Sequence, residues 1–188
     1  MEGLRFKKQI RILLLTDGLA MVAAAMLAPI YALFVERIGG DLLDASLTVG
    51  VFAFFAALTA FFSGKYADKI EENELILVLG YGLMGIGFFL YMFVDAIWQL
   101  FLIQALIGAA GAVASPAFDV LYSKHLREEK AGRTWGSWEA LNYLTAAFGA
   151  VIGGLIVVNF GFNAAFILMA LLCFISAIYI YILPRKVL

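Results

Sequence analysis

The sequence has one cysteine, one histidine and three prolines, and only 14% of its 188 residues are charged. The single cysteine, Cys173 in an apolar run, excludes an internal disulfide framework and any multi-cysteine metal site. His125, in a charged loop, stands alone, so a Ser-His protease has no base and a histidine-based metal site has no ligand set. There is no phosphate loop of the G-x-x-x-x-G-K-S/T type, no pair of N-P-A turns and no ring of charges at mid-depth, which speaks against a nucleotidase and against a channel. No metal and no cofactor is expected, and the protein is not expected to be an enzyme. What the chain does contain is apolar: 64% hydrophobic residues, 15% aromatics and a mean hydropathy of +0.98. Globular domains run about 45–50% apolar with roughly 25% charged residues. A membrane protein with the lipid bilayer as its first partner is therefore expected, and soluble enzymes and nucleic-acid binders are disfavoured.

Six apolar stretches, at about 10–35, 46–63, 75–94, 97–122, 135–158 and 164–183, each approach the ~20 residues that a helix needs to cross the hydrocarbon core. Backbone groups in lipid must be satisfied within their own segment, so the fold expected is all-α, one six-helix transmembrane domain over 1–188. Asp44, Asn73, Asp95 and Asn163 precede apolar runs and are expected to cap them. The first run is longer than the apolar part of a signal peptide and no small-residue cleavage site accompanies it, so it is read as a retained span.

Basic residues segregate. Arg5, Lys7, Lys8 and Arg11 precede the first span, Lys65 and Lys69 follow the second, Lys124, Arg127, Lys130 and Arg133 follow the fourth, and Arg185 and Lys186 close the chain. The opposite side has Arg37 alone. Twelve against one by the positive-inside rule puts both termini in the cytoplasm of a cell that carries the protein in its inner or plasma membrane.

Two of the prolines, Pro29 and Pro116, lie about 19 and 18 residues into the first and fourth spans, which run in opposite directions. That match is what two inverted three-helix repeats would produce. Stripes of small residues at GYGLMGIG (80–87), GAAGAVASPA (108–117) and GAVIGG (149–154) allow helix backbones to approach closely, with Gly108 in the second and Gly149 and Gly153 at G-x-x-x-G spacing in the third.

The segment GKYADKIEE (64–72) resembles the loop signature of the major facilitator superfamily, G-x-x-x-D-R/K-x-G-R/K-R/K. Gly64, Asp68 and Lys69 match in place, whereas Glu71, Glu72 and Asn73 stand where the family has glycine and two basic residues. The stretches SPAFDVLYSKHLREEKAGRTWG (115–136) and AAFGAVIGGLIVVNFGFNAAFILMALL (146–172) are similar to the family's fourth helix, cytoplasmic loop, glycine-rich fifth helix and turn into the sixth. Gln104 and Gly108 fit the family's R-x-x-x-G pattern with glutamine in place of arginine. The resemblance covers the whole chain as an N-terminal six-helix half. It implies a secondary transporter of a small molecule that rocks around a substrate near the midplane by alternating access, with drug or small-molecule export driven by protons as the nearest subgroup. It also implies a second half. A parallel homodimer is favoured, in which Asp68 would approach the start of the partner's fifth span near Gly132 to Trp135. The alternatives are a separately encoded second half and a non-transporting membrane scaffold.

Ionisable groups inside spans cost roughly 2.5–3.5 kcal/mol each and are functional candidates. Asp17 lies about 9 Å inward of Arg11, Asp119 about 7.5 Å inward of Lys124 and Glu139 about 9 Å inward of Arg133, counted at ~1.5 Å per residue. If the first, fourth and fifth spans line the cavity, as in the family, the three carboxylates ring a vestibule and could exchange protons. Asp17, between Thr16 and Gly18, is the first candidate; Asp119 and Glu139 are also placed to pair with Lys124 or Arg133. Gln104, Asn142 and Tyr143, with Tyr31 and Trp138 towards the ends, suit an amphipathic or weakly cationic ligand. The other aromatics, Tyr81, Phe88, Phe89, Tyr91, Trp98, Tyr179 and Tyr181, are expected at the lipid boundary.

Overall fold

Within a bilayer no water reaches the backbone, so a chain this apolar closes its N–H and C=O groups within helices. The computed structural model describes residues 7–67, 69–70, 72–126 and 128–184. Its helices are α1 (Lys8–Leu27), α2 (Tyr31–Arg37), α3 (Leu42–Ala67), α4 (Asn73–Leu90), α5 (Ile97–Lys124), α6 (Ala131–Phe160) and α7 (Phe162–Ile182). Single 3-10 turns follow α4 at Tyr91–Phe93 and precede α6 at Glu128–Lys130. No strand occurs among the described residues, and all helices but α2 are long and apolar enough to cross a membrane. The chain is an all-α, multi-pass membrane protein.

The first span is not one helix. Proline has no N–H to give the carbonyl four residues back, and at Ala28-Pro29-Ile30 the chain leaves the helix for a turn before α2 resumes. Pro116, in contrast, lies inside an unbroken α5, so the two prolines have different structural outcomes. The expected caps are displaced as well. Asp44 sits in the first turn of α3, where its carboxylate accepts the Asp41 N–H at 3.0 Å while Asp41 accepts the Asp44 N–H at 2.9 Å. Asp41 is thus the cap and Asp44 its reciprocal partner, three residues on. Asn73 is already the first residue of α4 and bonds the Ile70 carbonyl, Gln99 rather than Asp95 accepts the N–H groups at the start of α5, and Asn163 lies within α7. Between α6 and α7 the reversal takes one residue, Gly161, at φ +84°, a conformation open to glycine at no steric cost.

The six spanning helices form an inner four and an outer two. α4 pairs with α7, α5 packs on α4, and α1 packs on α7; α3 then lies on the outside of α5 and α6 on the outside of α1, while α1 and α5 barely touch. These pairings are unchanged when α1, α3 and α4 are exchanged for α5, α6 and α7, although among the described residues α6 also packs on α7 while α3 has no comparable contact with α4. Close approach depends on the glycine stripes. A Cβ on Gly153 would sit 2.5 Å from the Met26 carbonyl oxygen, one on Gly149 2.6 Å from Ala25 Cβ, and one on Gly108 would collide with the Phe52 carbonyl of α3.

One group of aromatics is inverted relative to expectation. Phe89, Trp98, Tyr179 and Tyr181 face outward, but Tyr81, Phe88 and Tyr91 are buried. The cause is helical phase: Tyr81 and Phe88 are seven residues apart on one face of α4, one position past Gly80 and Gly87, which lie against α5, and that face turns inward.

Candidate functional site

Because α1 and α5 barely meet, the edge between them is open, and α1 presents Asp17 there. Its two carboxylate oxygens have separate donors on different helices. Tyr81 Oη of α4 donates to Oδ1 at 2.9 Å, and Trp138 Nε1 of α6 donates to Oδ2 at 2.9 Å. Neutral side chains thus hold this carboxylate, and three spans meet at one group. The residues around it fit that role: Thr16 turns its hydroxyl back to the Ile12 and Leu13 carbonyls, and Gly18 lies against Leu141 of α6, which keeps α1 and α6 close.

Asp17 opens onto a cavity of about 200 Å³ lined also by Met21, Tyr81, Phe118, Asp119 and Trp138. Asp119 is exposed, at the cavity mouth on α5. Aromatic contacts close one end of it: Phe118 lies 6.1 Å from Trp138 and 5.2 Å from Tyr122, Trp135 bridges Tyr122 and Trp138, and Tyr122 Oη donates to the Thr134 carbonyl at 2.6 Å. This seam joins α5 to α6 at the end of the bundle that carries Lys124 and Arg133.

A second cavity of about 340 Å³ follows along the same face of α1, sharing Ala24 with the first. It is apolar, with Phe52, Phe88 and Ile107 in its wall, and its polar groups are Tyr31 and Gln104. Tyr31 also hydrogen-bonds Thr48 of α3. Asp17 and Ala24, seven positions apart on α1, line the first cavity, and Ala24 and Tyr31, the latter across the break at the start of α2, line the second, so the path leads from a carboxylate to an aromatic and amide pocket.

The structure therefore brings Asp17, Asp119 and Trp138 into one cavity and Tyr31 and Gln104 into the next. Glu139, one position past Trp138, points outward, and Tyr143 is 69% exposed; neither lines these cavities, nor does Asn142, whose carbonyl accepts the Thr145 hydroxyl. Among the described residues no ion pair links Asp119 or Glu139 to Lys124 or Arg133. Gly64 lies in the last turn of α3 with open space around it and Lys69 is exposed, while Asp68, and with it the expected contact to the 132–135 segment of a partner, falls outside the described residues.

Tyr81 is the residue that sequence reasoning placed in lipid and the structure places on Asp17. The available signal was its position between Gly80 and Gly82, which leaves room for a ring at a helix contact. Tyr81→Phe removes one donor and keeps the ring, whereas Trp138→Phe removes the other donor and also replaces the indole with a smaller phenyl. Each is expected to lower thermal stability in detergent by about 1–2 kcal/mol, less than additively in the double variant, as read from melting curves across a double-mutant cycle.

The sequence matches the Major Facilitator Superfamily over residues 13–187. Among curated proteins it is similar to the multidrug resistance protein MdtG of Enterobacter lignolyticus, at 28% identity over 94% of this chain and 43% of that protein. It is similar also to MdtG of Proteus mirabilis, at 26% identity over 96% of this chain and 46% of that protein. The chain spans less than half the length of these relatives.

Proposed function

The chain belongs to the Major Facilitator Superfamily, and from that premise we propose that it is one half of a secondary transporter that exports small amphipathic molecules, including weakly cationic ones, coupled to protons. In this reading α1 and α5 form one wall of the translocation cavity, and a second six-helix unit, held parallel by an axis along the membrane normal, supplies the other wall. The inverted repeat is supported by the pairings that survive exchange of α1, α3 and α4 for α5, α6 and α7. Cytoplasmic termini are supported by the distribution of Lys and Arg. Export is supported by the relatives named for multidrug resistance.

The observation that carries the reading is Asp17, a carboxylate at the open α1–α5 edge whose two oxygens tie α4 and α6 to α1. Protonation turns one of those oxygens into a hydroxyl, itself a donor and a weaker acceptor, so the acid no longer holds both donors as strongly as the carboxylate does. One of the two ties weakens, and α6 or α4 is freed relative to α1. Proton binding and helix rearrangement are thereby linked at a single side chain. A substrate amine in the same cavity would compete with the proton for the carboxylate, and Phe118 and Trp138 would offer ring faces to it.

The second unit is proposed to be a second copy. It would meet the outer helices α3 and α6, which the bundle leaves least covered. Phe54 of α3 and Phe148 of α6 are 64% and 62% exposed and lie at matching distances from the ends of their helices. With cysteines at both positions in a Cys173→Ala background, oxidation in nanodiscs at low protein-to-lipid ratio is expected to give a dimer band on a denaturing gel. A monomer band alone would overturn the homodimer, and co-purification of another six-helix segment would replace it.

A further inference from the structure

A proline within a helix leaves the carbonyl four residues back without its donor, and the ring presses on that carbonyl. At Pro29 the helix ends, yet at Pro116 it continues. The carbonyl that Pro116 leaves unsatisfied belongs to Ala112, and it accepts a 2.7 Å hydrogen bond from Ser63 Oγ of α3. Several hydroxyls in these helices turn back on their own preceding turn, as Ser46 does on Leu42, Thr134 on Lys130 and Ser137 on Arg133; Ser176 of α7 also crosses, to the Thr16 carbonyl of α1 at 2.8 Å, but no proline has freed that carbonyl. Ser63 has the same option in Ala60, but at 3.4 Å, and its short bond crosses to the other helix. The two backbones also touch at Gly108, which lies against the Phe52 carbonyl.

We propose that Ser63 supplies in trans the donor that Pro116 lacks, and that it is a positioning residue for the end of α5 that carries Phe118 and Asp119 to the cavity. Ala112 is buried, which limits the access of any other donor to its carbonyl. The bond lets α5 keep a proline next to the cavity without losing its course, and it ties α3, the least covered helix, to the cavity wall. Separating α3 from α5 would break it and leave the Ala112 carbonyl alone. This inference rests on geometry and not on what the protein carries, so its failure would leave the transport reading intact.

The test is hydrogen exchange, read by mass spectrometry, on the full chain in nanodiscs. Ser63→Ala is expected to speed exchange of the 117–124 amides about tenfold, and Ser63→Thr, which keeps the hydroxyl, to restore the original rate. Pro116→Ala returns an N–H to the Ala112 carbonyl, so adding Ser63→Ala in that background is expected to change nothing. A serine serving only general packing would show the same acceleration in both backgrounds. Exchange in Ser63→Ala at the wild-type rate, or equal acceleration with and without Pro116, overturns the proposal. If Ser63→Ala is not recovered folded, recovery of the Ser63→Ala, Pro116→Ala double variant supports it, and failure of both overturns it.

Discussion

Asp17→Asn is expected to leave a folded protein that no longer responds to protons. The amide is close in size and keeps one acceptor oxygen for Tyr81 or Trp138, so the loss of stability should stay within about 1–2 kcal/mol. Its effect on function should be far larger, because an amide does not titrate. Two measurements check this. In a Trp98→Phe, Trp135→Phe background the remaining indole, Trp138, reports on the carboxylate it binds, and its emission should change with pH in the parent and stay flat in Asp17→Asn. In liposomes carrying the complete transporter unit, pH-gradient-driven movement of a panel of fluorescent amphipathic amines should fall to the level of empty liposomes. An unchanged pH response of Trp138 in Asp17→Asn would remove Asp17 from the coupling role and leave Asp119, at the mouth of the same cavity, to be tested next.

The largest loss of stability is expected at Gly153→Leu. A Cβ there meets the Met26 backbone itself, at 2.5 Å from the carbonyl oxygen and 2.8 Å from Cα, and backbone cannot change rotamer to make room. α1 and α6 would have to move apart along the G-x-x-x-G seam, losing the Gly149 contact with Ala25 and Val22 at the same time. Small-residue interfaces are a main source of helix association in lipid, where apolar surface gains little by leaving apolar tails. Overpacking at a site unable to relax costs at least about 3 kcal/mol, and the melting temperature in detergent should fall by roughly 10 °C. Gly154→Leu is the internal control: nothing lies within 4 Å of its Cβ, and its melting curve should overlay the parent's. Equal losses at both positions would mean that leucine perturbs α6 itself and not its seat on α1.

Asp17 was legible because a carboxylate inside an apolar run is costly wherever the helix points, so its presence alone marks it. Glu139 has the same signal, yet it faces away from the cavity that its neighbour Trp138 lines. One residue of helical phase, 100°, separates the two, and with nearly every position apolar the hydrophobic pattern does not show which side is inside. The same uncertainty displaced Tyr81, Phe88 and Tyr91 from the interior to the lipid boundary. The caps failed for a local reason: Asp41 and Asp44 are three residues apart and bond each other's backbone, so either could be read as the start of α3, and only the geometry separates cap from partner.

Composition determined the class of this protein. With 64% apolar residues and few charges inside the spans, six helices in a bilayer are the form in which buried backbone groups are satisfied. The order of its motifs, from Gly64 through Gly153, determined the family. Tertiary structure decided which faces meet: that α1 and α5 stand apart, that Tyr81 and Trp138 converge on Asp17 from two other helices, and that Ser63 bonds the carbonyl Pro116 leaves open. These are contacts between residues 49 to 121 positions apart. In lipid they are set by backbone approach at glycines, whose spacing does not say which helix they meet, and by single hydrogen bonds, which leave no periodic trace in the chain.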